Sequence, residues 1–394
     1  MKRFLYLCLA GMLTGLPCAA QTDTLRYGVK KNMPAFFEVL KSRLTYPLAW
    51  GTDTETDFTR WREKARTVVM ECMQNLPPAP ADYHWETVAT EQRKGYEARK
   101  IWFNLSEWYR VPAYLLVPEG EGPFPAIVML HDHGAHFTIG KEKMVRPFDV
   151  PAEVLADADD WANRCYDGQY AGDHFAAHGY VVLAVDALFW GERGRQEGPD
   201  YDVQQALASN FLQMGASWSA FITCDDIRSA EFLATLPFVE RQRIGCLGFS
   251  MGAYRSWMMA ALTDCIQASA SVCWMNTTEE LMTLDNNQNK GGSAYSMLIP
   301  SLRRYLDYPH VAGIACPKPT LFFNGTRDKL FPVAGVEQAY ATMRSIWKSQ
   351  GADEHLVTQL WDEKHFFSKA MQQATLEFFN CEMPPALSTP RRTE

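Results

Sequence analysis

The chain has 394 residues, of which 47% are hydrophobic and 21% charged, a composition that excludes a disordered or fibrous protein and indicates a globular one. Its formal net charge of −8 provides no electrostatic footprint for nucleic acid or for an anionic membrane. We therefore expect no nucleic acid partner, and a polyanion would require a local cluster of Arg and Lys.

Residues 1–20 have the features of a secretory signal peptide. Lys2 and Arg3 supply a positive start, residues 4–16 form an apolar core, and small residues at 18–20 provide a cleavage site. An N-terminal core helix is the alternative, and Cys18 would also suit a lipoprotein, although a proline precedes it. The apolar run is short for a membrane span. We expect a periplasmic or extracellular protein, and no later segment has a transmembrane pattern.

The segment 21–85 is predicted to be a helical N-terminal extension. Hydrophobic residues recur at helical spacing in 36–40 and again in 61–72, and the dipeptide Pro77-Pro78 ends the pattern. Residues 86–385 are then expected to form one larger domain.

This larger domain is predicted to have an α/β fold. Two β-rich runs, 97–103 and 111–117, indicate a hairpin. Short apolar runs separated by helix-length segments follow, at residues 125–130, 180–185, 243–248, 268–274, 320–323 and 355–360. Apolar strands that alternate with helices predict a doubly wound, mostly parallel sheet covered on both faces. Long interruptions at about 137–172 and 275–316 are expected to be lids or substrate walls.

A serine lies between two glycines in Gly-Phe-Ser-Met-Gly, residues 248–252. A strand-like run precedes this motif and a helix-forming run follows it, so Ser250 is predicted to lie on a sharp strand-to-helix turn. The glycines permit close backbone approach, and the N–H group of Met251 would face a developing oxyanion. A purely structural turn is the alternative. We predict that Ser250 is a nucleophile.

A serine hydroxyl needs a base, usually a histidine that a carboxylate orients. Asp328 lies in the loop after one predicted strand, and His365 follows the last strand, which matches the order Ser, acid, His. The other downstream candidates are two histidines and two acids: His310, His355, Glu279 and Glu280. We predict His365 as the base and Asp328 as the acid, and the two glutamates remain open as alternative acids.

The run 125–130 is followed by His-Asp-His-Gly-Ala-His at residues 131–136. Clustered histidines and an aspartate would suit a metal, as in the metallo-β-lactamase pattern H-x-H-x-D-H, but Ala135 stands where that pattern needs aspartate. The alternative, which we favour, is an oxyanion loop with a backbone N–H donor at or beside Ala135. His133 is predicted to face the substrate, and we expect no metal and no cofactor.

Three further residues are candidates for substrate contact. Glu192 and Arg193 lie between two glycines in a loop after a strand. Arg193 could contact the substrate, although an ion pair with Asp186 or Glu192 would make this a structural loop. Trp190 and Trp274 could stack on sugar rings, although aromatic residues more often belong to the core.

Eight cysteines remain after the predicted signal peptide: Cys72, Cys165, Cys224, Cys246, Cys265, Cys273, Cys316 and Cys381. They form no C-x-x-C pair, and most are expected to be small buried hydrophobic residues. An exported protein could also contain disulfides, whose pairing the sequence leaves open.

Several motifs resemble those of α/β-hydrolases in the branch of dienelactone hydrolases and acetyl xylan esterases. They are Gly-Phe-Ser-Met-Gly (248–252), Asp-Lys-Leu-Phe-Pro (328–332), Lys-His-Phe-Phe (364–367) and Tyr-Leu-Leu-Val-Pro (114–118). His-Asp-His-Gly (131–134), Gly-Lys-Glu-Lys (140–143) and Trp-Gly-Glu-Arg (190–193) further resemble a group of exported gut-bacterial esterases linked to polysaccharide breakdown. The resemblance covers residues 85–380, and less distinctly 22–85.

The resemblance implies a sheet of about eight strands and a triad of Ser250, Asp328 and His365. It also implies that the substrates are esters of plant polysaccharides, such as acetylated xylan or acetyl- and methyl-esterified pectin. Dienelactone hydrolases use a cysteine nucleophile, so the serine favours ordinary ester hydrolysis. For a methyl-esterified uronate, a basic groove is expected, with hypothetical contributions from Lys141, Lys143, Arg146 and Arg255. A serine exopeptidase and a non-catalytic carbohydrate-binding protein are the alternatives.

Overall fold

The computed structural model describes residues 28–31, 33–53, 57–194, 197–284 and 295–385. The predicted signal peptide lies outside these residues. None of the helices within the described ranges is long and apolar enough to cross a membrane.

The described chain contains eleven strands and eleven α-helices. The strands are β1 (Val29–Lys30), β2 (Met33–Pro34), β3 (Glu86–Arg93), β4 (Tyr96–Ser106), β5 (Tyr109–Pro118), β6 (Phe124–Leu130), β7 (Val181–Val185), β8 (Val239–Phe249), β9 (Ala268–Val272), β10 (Thr320–Gly325) and β11 (Leu356–Trp361). The helices are α1 (Phe37–Lys41), α2 (Phe58–Met73), α3 (Ala152–Cys165), α4 (Ala171–Ala176), α5 (Tyr201–Gln213), α6 (Trp218–Leu233), α7 (Met251–Leu262), α8 (Thr278–Leu281), α9 (Tyr308–Gly313), α10 (Val333–Ser349) and α11 (Lys369–Glu382).

Nine of the strands form one sheet in the order β11-β10-β9-β8-β6-β7-β5-β4-β3. The six strands from β11 to β7 are parallel to one another, and β5, β4 and β3 then pair antiparallel at the other end. The predicted doubly wound, mostly parallel sheet is confirmed. The strand count is nine rather than about eight, because β3 adds an edge strand to the predicted hairpin of β4 and β5.

The central strands explain why the sheet is covered on both faces. All seven residues of β6 are buried. Ala126, Val128 and Leu130 join one hydrophobic cluster, whereas Ile127 and Met129 join a second cluster. Because successive side chains of a strand point to opposite faces, both faces of β6 pack against apolar layers.

The N-terminal segment packs onto this same core. α2 begins at the N-cap Asp57, whose side chain accepts a hydrogen bond from the backbone of Arg60, and its apolar face includes Trp61 and Val69. These residues belong to the same hydrophobic cluster as the residues of α7. The helices α1 and α2 lie where the sequence pattern predicts them, and the domain boundary at residue 85 stays a prediction.

The two long interruptions of the α/β pattern contain helices. The first interruption contains α3, and its residues 141–145, which precede this helix, are buried. The second contains α8 and α9, and its residues 285–294 lie outside the described chain. A lid role for either segment stays a prediction.

All eight cysteines that remain after the predicted signal peptide are described, and all are free thiols. Only Cys381 is exposed, and five of the others are buried. Most of them therefore pack as small hydrophobic residues, as predicted.

Candidate active site

Ser250 lies on the turn between β8 and α7, with backbone angles φ 55° and ψ −119°. The flanking glycines are required by close backbone approaches. A Cβ atom on Gly248 would lie 2.0 Å from the carbonyl oxygen of Gly252, and one on Gly252 would lie 1.8 Å from that of Leu130. Any other residue at either glycine would therefore displace the backbone of the turn, which holds Ser250 at the carboxyl end of the central strands.

The hydroxyl of Ser250 is hydrogen-bonded to His365, and His365 is hydrogen-bonded to Asp328. The Nε2 atom of His365 is 2.8 Å from Ser250 Oγ, and its Nδ1 atom is 2.6 Å from Asp328 Oδ2. A carboxylate only accepts, so Nδ1 carries the proton and Nε2 is left to accept the hydroxyl proton of Ser250. This is the arrangement that makes a serine nucleophilic.

Pairing of adjacent loops brings Asp328 and His365 together. β10 and β11 pair in parallel up to Gly325 and Trp361. Beyond the strands, the N–H of Thr326 donates to Trp361 O at 2.8 Å, and a Cβ on Gly325 would lie 2.3 Å from Glu363 O. The two loops therefore run in contact, and each brings one side chain to the same point.

Three of the four other downstream candidates make contacts elsewhere. Glu279 is two-thirds exposed and pairs with Lys41 at 3.1 Å. The ring of His310 accepts the backbone N–H of Asp307 as part of a helix cap. His355 lies beside the exposed Glu354, at 3.7 Å. Asp328 is thus the acid that the structure places on His365.

The ring of His365 is held by aromatic neighbours that the sequence analysis did not single out. Phe249 packs against it with ring centroids 5.0 Å apart, and Phe331 stacks on it at 5.9 Å. Phe249 belongs to the motif around Ser250 and Phe331 to the motif around Asp328, so their position in these motifs could have indicated a place next to His365. Cys273 lies next to Asp328 and His365, and burial raises the pKa of its thiol, so it remains a neutral thiol at this position.

Met251 and Ala135 were the predicted oxyanion donors, and their backbone N–H groups differ in whether they already have an acceptor. Met251 is the first residue of α7, so its N–H has no acceptor inside the helix and lies next to Ser250. The N–H of Ala135 instead donates to Nδ1 of His133 at 3.1 Å. The N–H of Ala135 itself therefore does not fit this role, because it is already used within its own loop, and a donor beside Ala135 stays a prediction.

His133 is buried and is hydrogen-bonded at both ring nitrogens. Its Nδ1 atom accepts from Ala135, so Nε2 carries the proton and donates to Gln204 Oε1 at 3.0 Å. Burial lowers the pKa of His133 to about 4, which keeps the ring neutral. The predicted substrate contact through this ring does not fit, because no ring nitrogen is left to bind a ligand.

The histidines of residues 131–136 do not converge on a metal site. His131 contacts the backbone of Asp132 through Nδ1 and accepts the N–H of Ala187 at Nε2. His136 is paired with Asp157 at 2.6 Å. Within the described ranges, two groups of three possible ligands do converge, at Cys273-Asp328-His365 and at Glu142-Asp186-Glu192. The second group surrounds the ammonium of a lysine.

That lysine is Lys141, which is completely buried. Its Nζ atom lies 2.7 Å from Glu142, 2.9 Å from Asp186 and 2.6 Å from Glu192. The carboxylates raise the pKa of Lys141 in spite of burial, so it stays charged. We call these four residues the Lys141 cluster. It links the loop that follows β6 to the loop that follows β7.

Asp132 is a second buried anchor of the loop that follows β6, and the sequence analysis missed it. Its carboxylate accepts hydrogen bonds from Tyr166 at 2.5 Å and from Trp161 at 3.2 Å, and Lys143 lies 3.4 Å away. Burial lowers the pKa of Lys143. These polar neighbours belong to the segment 141–166. They are too far from Asp132 along the chain for a local sequence pattern to predict the interaction.

Burial overturns most of the hypothetical basic groove. Lys141 and Lys143 have no exposed side-chain area, and Arg255 is 1% exposed. Arg255 forms a bidentate pair with Asp226, at 2.9 and 2.6 Å. Of the four proposed contributors, only Arg146 is substantially exposed, at 47% of its side chain.

The predicted sugar-stacking aromatics are also internal. Trp190 and Trp274 are both fully buried. Trp190 stacks on Trp218 with centroids 5.7 Å apart, and Trp274 packs against Tyr308 at 4.9 Å. The predictions of substrate contact are wrong for both residues, because a sugar could reach neither ring without displacing the core.

Arg193 forms the structural ion pair that was the alternative, but with a different partner. Its guanidinium lies 2.8 Å from Asp225, and its side chain is 7% exposed. It also donates to the backbone carbonyl of Asp186 at 3.0 Å. The predicted substrate contact of Arg193 does not fit this burial.

Residues 27–363 match the model of the Abhydrolase family. The chain belongs to this family. The match includes Ser250 and Asp328, and His365 lies two residues beyond its end. The expected relationship to α/β-hydrolases is confirmed.

Relatives of this Abhydrolase family member include hydrolases and esterases. The candidate hydrolase YtaP of Bacillus subtilis (strain 168) is 24% identical over 294 residues, which are 74% of this chain and 90% of that protein. A candidate acetyl xylan esterase of Bacteroides fragilis NCTC 9343 has a similar structure, with TM-score 0.63, 20% identity and 82% of each chain covered. The methylesterase BT1017 aligns with TM-score 0.56 and 17% identity, over 89% of this chain and 65% of that one. At these identities the structural likeness establishes the fold.

Proposed function

We propose that this Abhydrolase family member is a serine carbohydrate esterase that removes acetyl or methyl esters from plant cell-wall polysaccharides. The observation that carries the proposal is the hydrogen-bond chain from Ser250 through His365 to Asp328. It lies on a strand-turn-helix at the carboxyl end of the sheet, where α/β folds bind ligands. The acetyl xylan esterase and methylesterase folds support the substrate class. We further propose that residues 1–20 direct export to the compartment where such polymers occur.

In the proposed mechanism, Nε2 of His365 takes the proton of Ser250 as Oγ attacks the ester carbonyl. The N–H of Met251 stabilises the oxyanion, and Asp328 stabilises the imidazolium. Collapse of the tetrahedral intermediate breaks the bond to the alkoxy group, which leaves as the alcohol with the proton from His365. Water then attacks the acyl-enzyme by the same steps, which releases the acid and restores Ser250. Loss of one oxyanion donor would cost roughly 10²–10³ in rate.

Product analysis tests which ester is cleaved. The protein is incubated separately with acetylated xylan and with methyl-esterified pectin, and acetate and methanol are both measured. Acetate release alone supports an acetylesterase, whereas methanol release alone supports a methylesterase. Cleavage of aminoacyl-anilides without release of either product would instead favour the serine exopeptidase.

Covalent labelling tests the nucleophile independently of the substrate. A fluorophosphonate probe should label the wild type and should fail to label Ser250→Ala. Ser42→Ala, which changes an exposed serine, is the matched control and should label normally. A folded wild type that is not labelled would contradict the esterase proposal and favour the non-catalytic carbohydrate-binding protein.

A further inference from the structure

The turn between β4 and β5 presents an exposed tryptophan beside an open cavity. Trp108 is 69% exposed, the highest value of any tryptophan in the described chain. It borders a cavity of about 680 Å³. One wall is the turn itself, and the other is the segment 80–84, which precedes β3.

Hydrogen bonds hold the two walls of this cavity in a defined position. The backbone N–H of Asn104 donates to Tyr83 O at 2.7 Å, and its side-chain amide donates to Asp82 O at 2.9 Å. Ser106 Oγ donates to Pro78 O at 2.9 Å and accepts the N–H of Trp108 at 3.2 Å. The backbone that carries Trp108 is thus held in a defined position.

The polar groups of the cavity are mixed in charge. Asp82 and Glu107 contribute carboxylates, Asn104 its amide oxygen, and Arg110 a guanidinium that is also paired with Glu86 at 2.9 Å and donates to His84 O at 3.1 Å. One flat apolar ring with several hydrogen-bonding groups of both signs matches a sugar, which has an apolar face of C–H groups and an edge of hydroxyl groups. A polyanion or a purely apolar ligand would find either repulsive or unmatched groups there.

The cavity also lies at the edge of the sheet where Ser250 lies. β5 runs antiparallel to β7, and Ala113 pairs with Val185, the last residue of β7. Tyr109 and Trp108 therefore extend beyond the carboxyl ends of the parallel strands. Three strand intervals separate β8, which carries Ser250, from β5. At about 4.8 Å an interval, and with the extension of the turn, Trp108 is roughly 20 Å from Ser250.

We propose that this cavity is a second sugar-binding site, which holds a distant part of the same polysaccharide chain whose ester reaches Ser250. The proposal rests on the proposed function, because it presumes a polymeric substrate. Trp108 would stack on a sugar ring, and the polar walls would bind its hydroxyl groups. A short ester would occupy only the region of Ser250, whereas a polymer would also occupy this second site.

The test compares polymeric and small substrates in the full-length protein. Trp108→Ala should raise the KM for acetylated xylan or methyl-esterified pectin by roughly 3- to 10-fold, the range of one aromatic stacking contact. Turnover of p-nitrophenyl acetate should not change. Trp108→Phe, which keeps a ring, should restore much of the affinity for the polymer. Val88→Ala removes an exposed apolar side chain on β3 and should leave both substrates unaffected.

Binding without turnover gives a second readout. Ser250→Ala should be retarded in native gels that contain acetylated xylan or methyl-esterified pectin, and adding Trp108→Ala should reduce the retardation. An unchanged KM and retardation in Trp108→Ala would overturn the second site. An equal loss of activity of Trp108→Ala on the polymer and on p-nitrophenyl acetate would also overturn it. A change in the oligomeric state of this variant, measured by sedimentation, would do the same. A wild type inactive on every ester would refute the proposed function instead.

Discussion

Replacement of Lys141 by methionine tests whether the Lys141 cluster is an essential part of the fold around the candidate site. The variant keeps an unbranched side chain of similar length but removes the charge. Three carboxylates then lose an ammonium that lies within 2.9 Å of each of them. Lys100 remains 3.1 Å from Glu192, so one positive charge faces three negative ones.

The expected cost follows from the burial of the cluster. Lys141 and Asp186 have no exposed side-chain area, and Glu142 is 3% exposed. Removing one partner of a buried ion pair costs about 3–5 kcal/mol, because it leaves an uncompensated charge. For a protein of this size we expect Tm to fall by roughly 5 °C.

The effect should depend on pH with a definite sign. Burial already raises the pKa of Asp186 to about 6, and loss of Lys141 would raise it further. A folded state that holds protons more tightly than the unfolded state becomes relatively more stable as pH falls. The deficit of Lys141→Met should therefore be largest above pH 7 and smaller at pH 5.

Urea unfolding of the wild type and of Lys141→Met at pH 8 and pH 5 measures both effects. Lys348→Met, which removes a lysine exposed on α10, is the matched control and should change the free energy of unfolding by less than about 0.5 kcal/mol. A loss below about 1 kcal/mol in Lys141→Met, or a loss that is the same at both pH values, would refute the reasoning.

Three other predictions concern the candidate site. Asp328→Asn should lower kcat on p-nitrophenyl acetate by about 10⁴, because the amide favours the wrong tautomer of the histidine, and a decrease below tenfold would contradict the proposed role. His133 should contribute a loss of about 3 kcal/mol of stability between pH 6.5 and pH 4, because burial lowers its pKa to about 4 while the unfolded chain still takes up the proton. Urea unfolding at both pH values should show that the free energy of unfolding of His133→Gln lacks this contribution. Gly252→Ala should destabilise the fold by at least 1–3 kcal/mol, since its Cβ would lie 1.8 Å from Leu130 O, and a wild-type Tm would refute the close approach.

Local sequence patterns were sufficient to predict the candidate triad and the type of sheet. The serine between glycines on a strand-turn-helix identifies Ser250, and its chain order with a later acid and histidine identifies Asp328 and His365 as its predicted partners. These features are recognisable because each depends on a few consecutive residues and on their position after a strand. The alternation of apolar runs with helix-length segments likewise predicted the mostly parallel sheet.

The predictions of substrate contact failed for a shared reason. Trp190, Trp274 and Arg193 are all enclosed by residues distant in the chain. Whether a tryptophan meets a sugar or another tryptophan depends on which segments pack over it, and no local pattern encodes that. Ala135 differs, because its N–H is taken by the ring of His133, which lies only two residues away.

The sequence by itself determined the kind of fold, the nucleophile candidate and the order of its partners, because strand periodicity and a tight turn are local properties of the backbone. Only the tertiary structure decided which acid meets His365, since β10 and β11 must first pair before their loops can touch. It also decided that Lys141, Lys143 and Arg255 are buried rather than exposed to a substrate. A buried charged side chain needs counterions, and Lys141 and Arg255 take theirs largely from residues far along the chain, which only the assembled fold brings into contact.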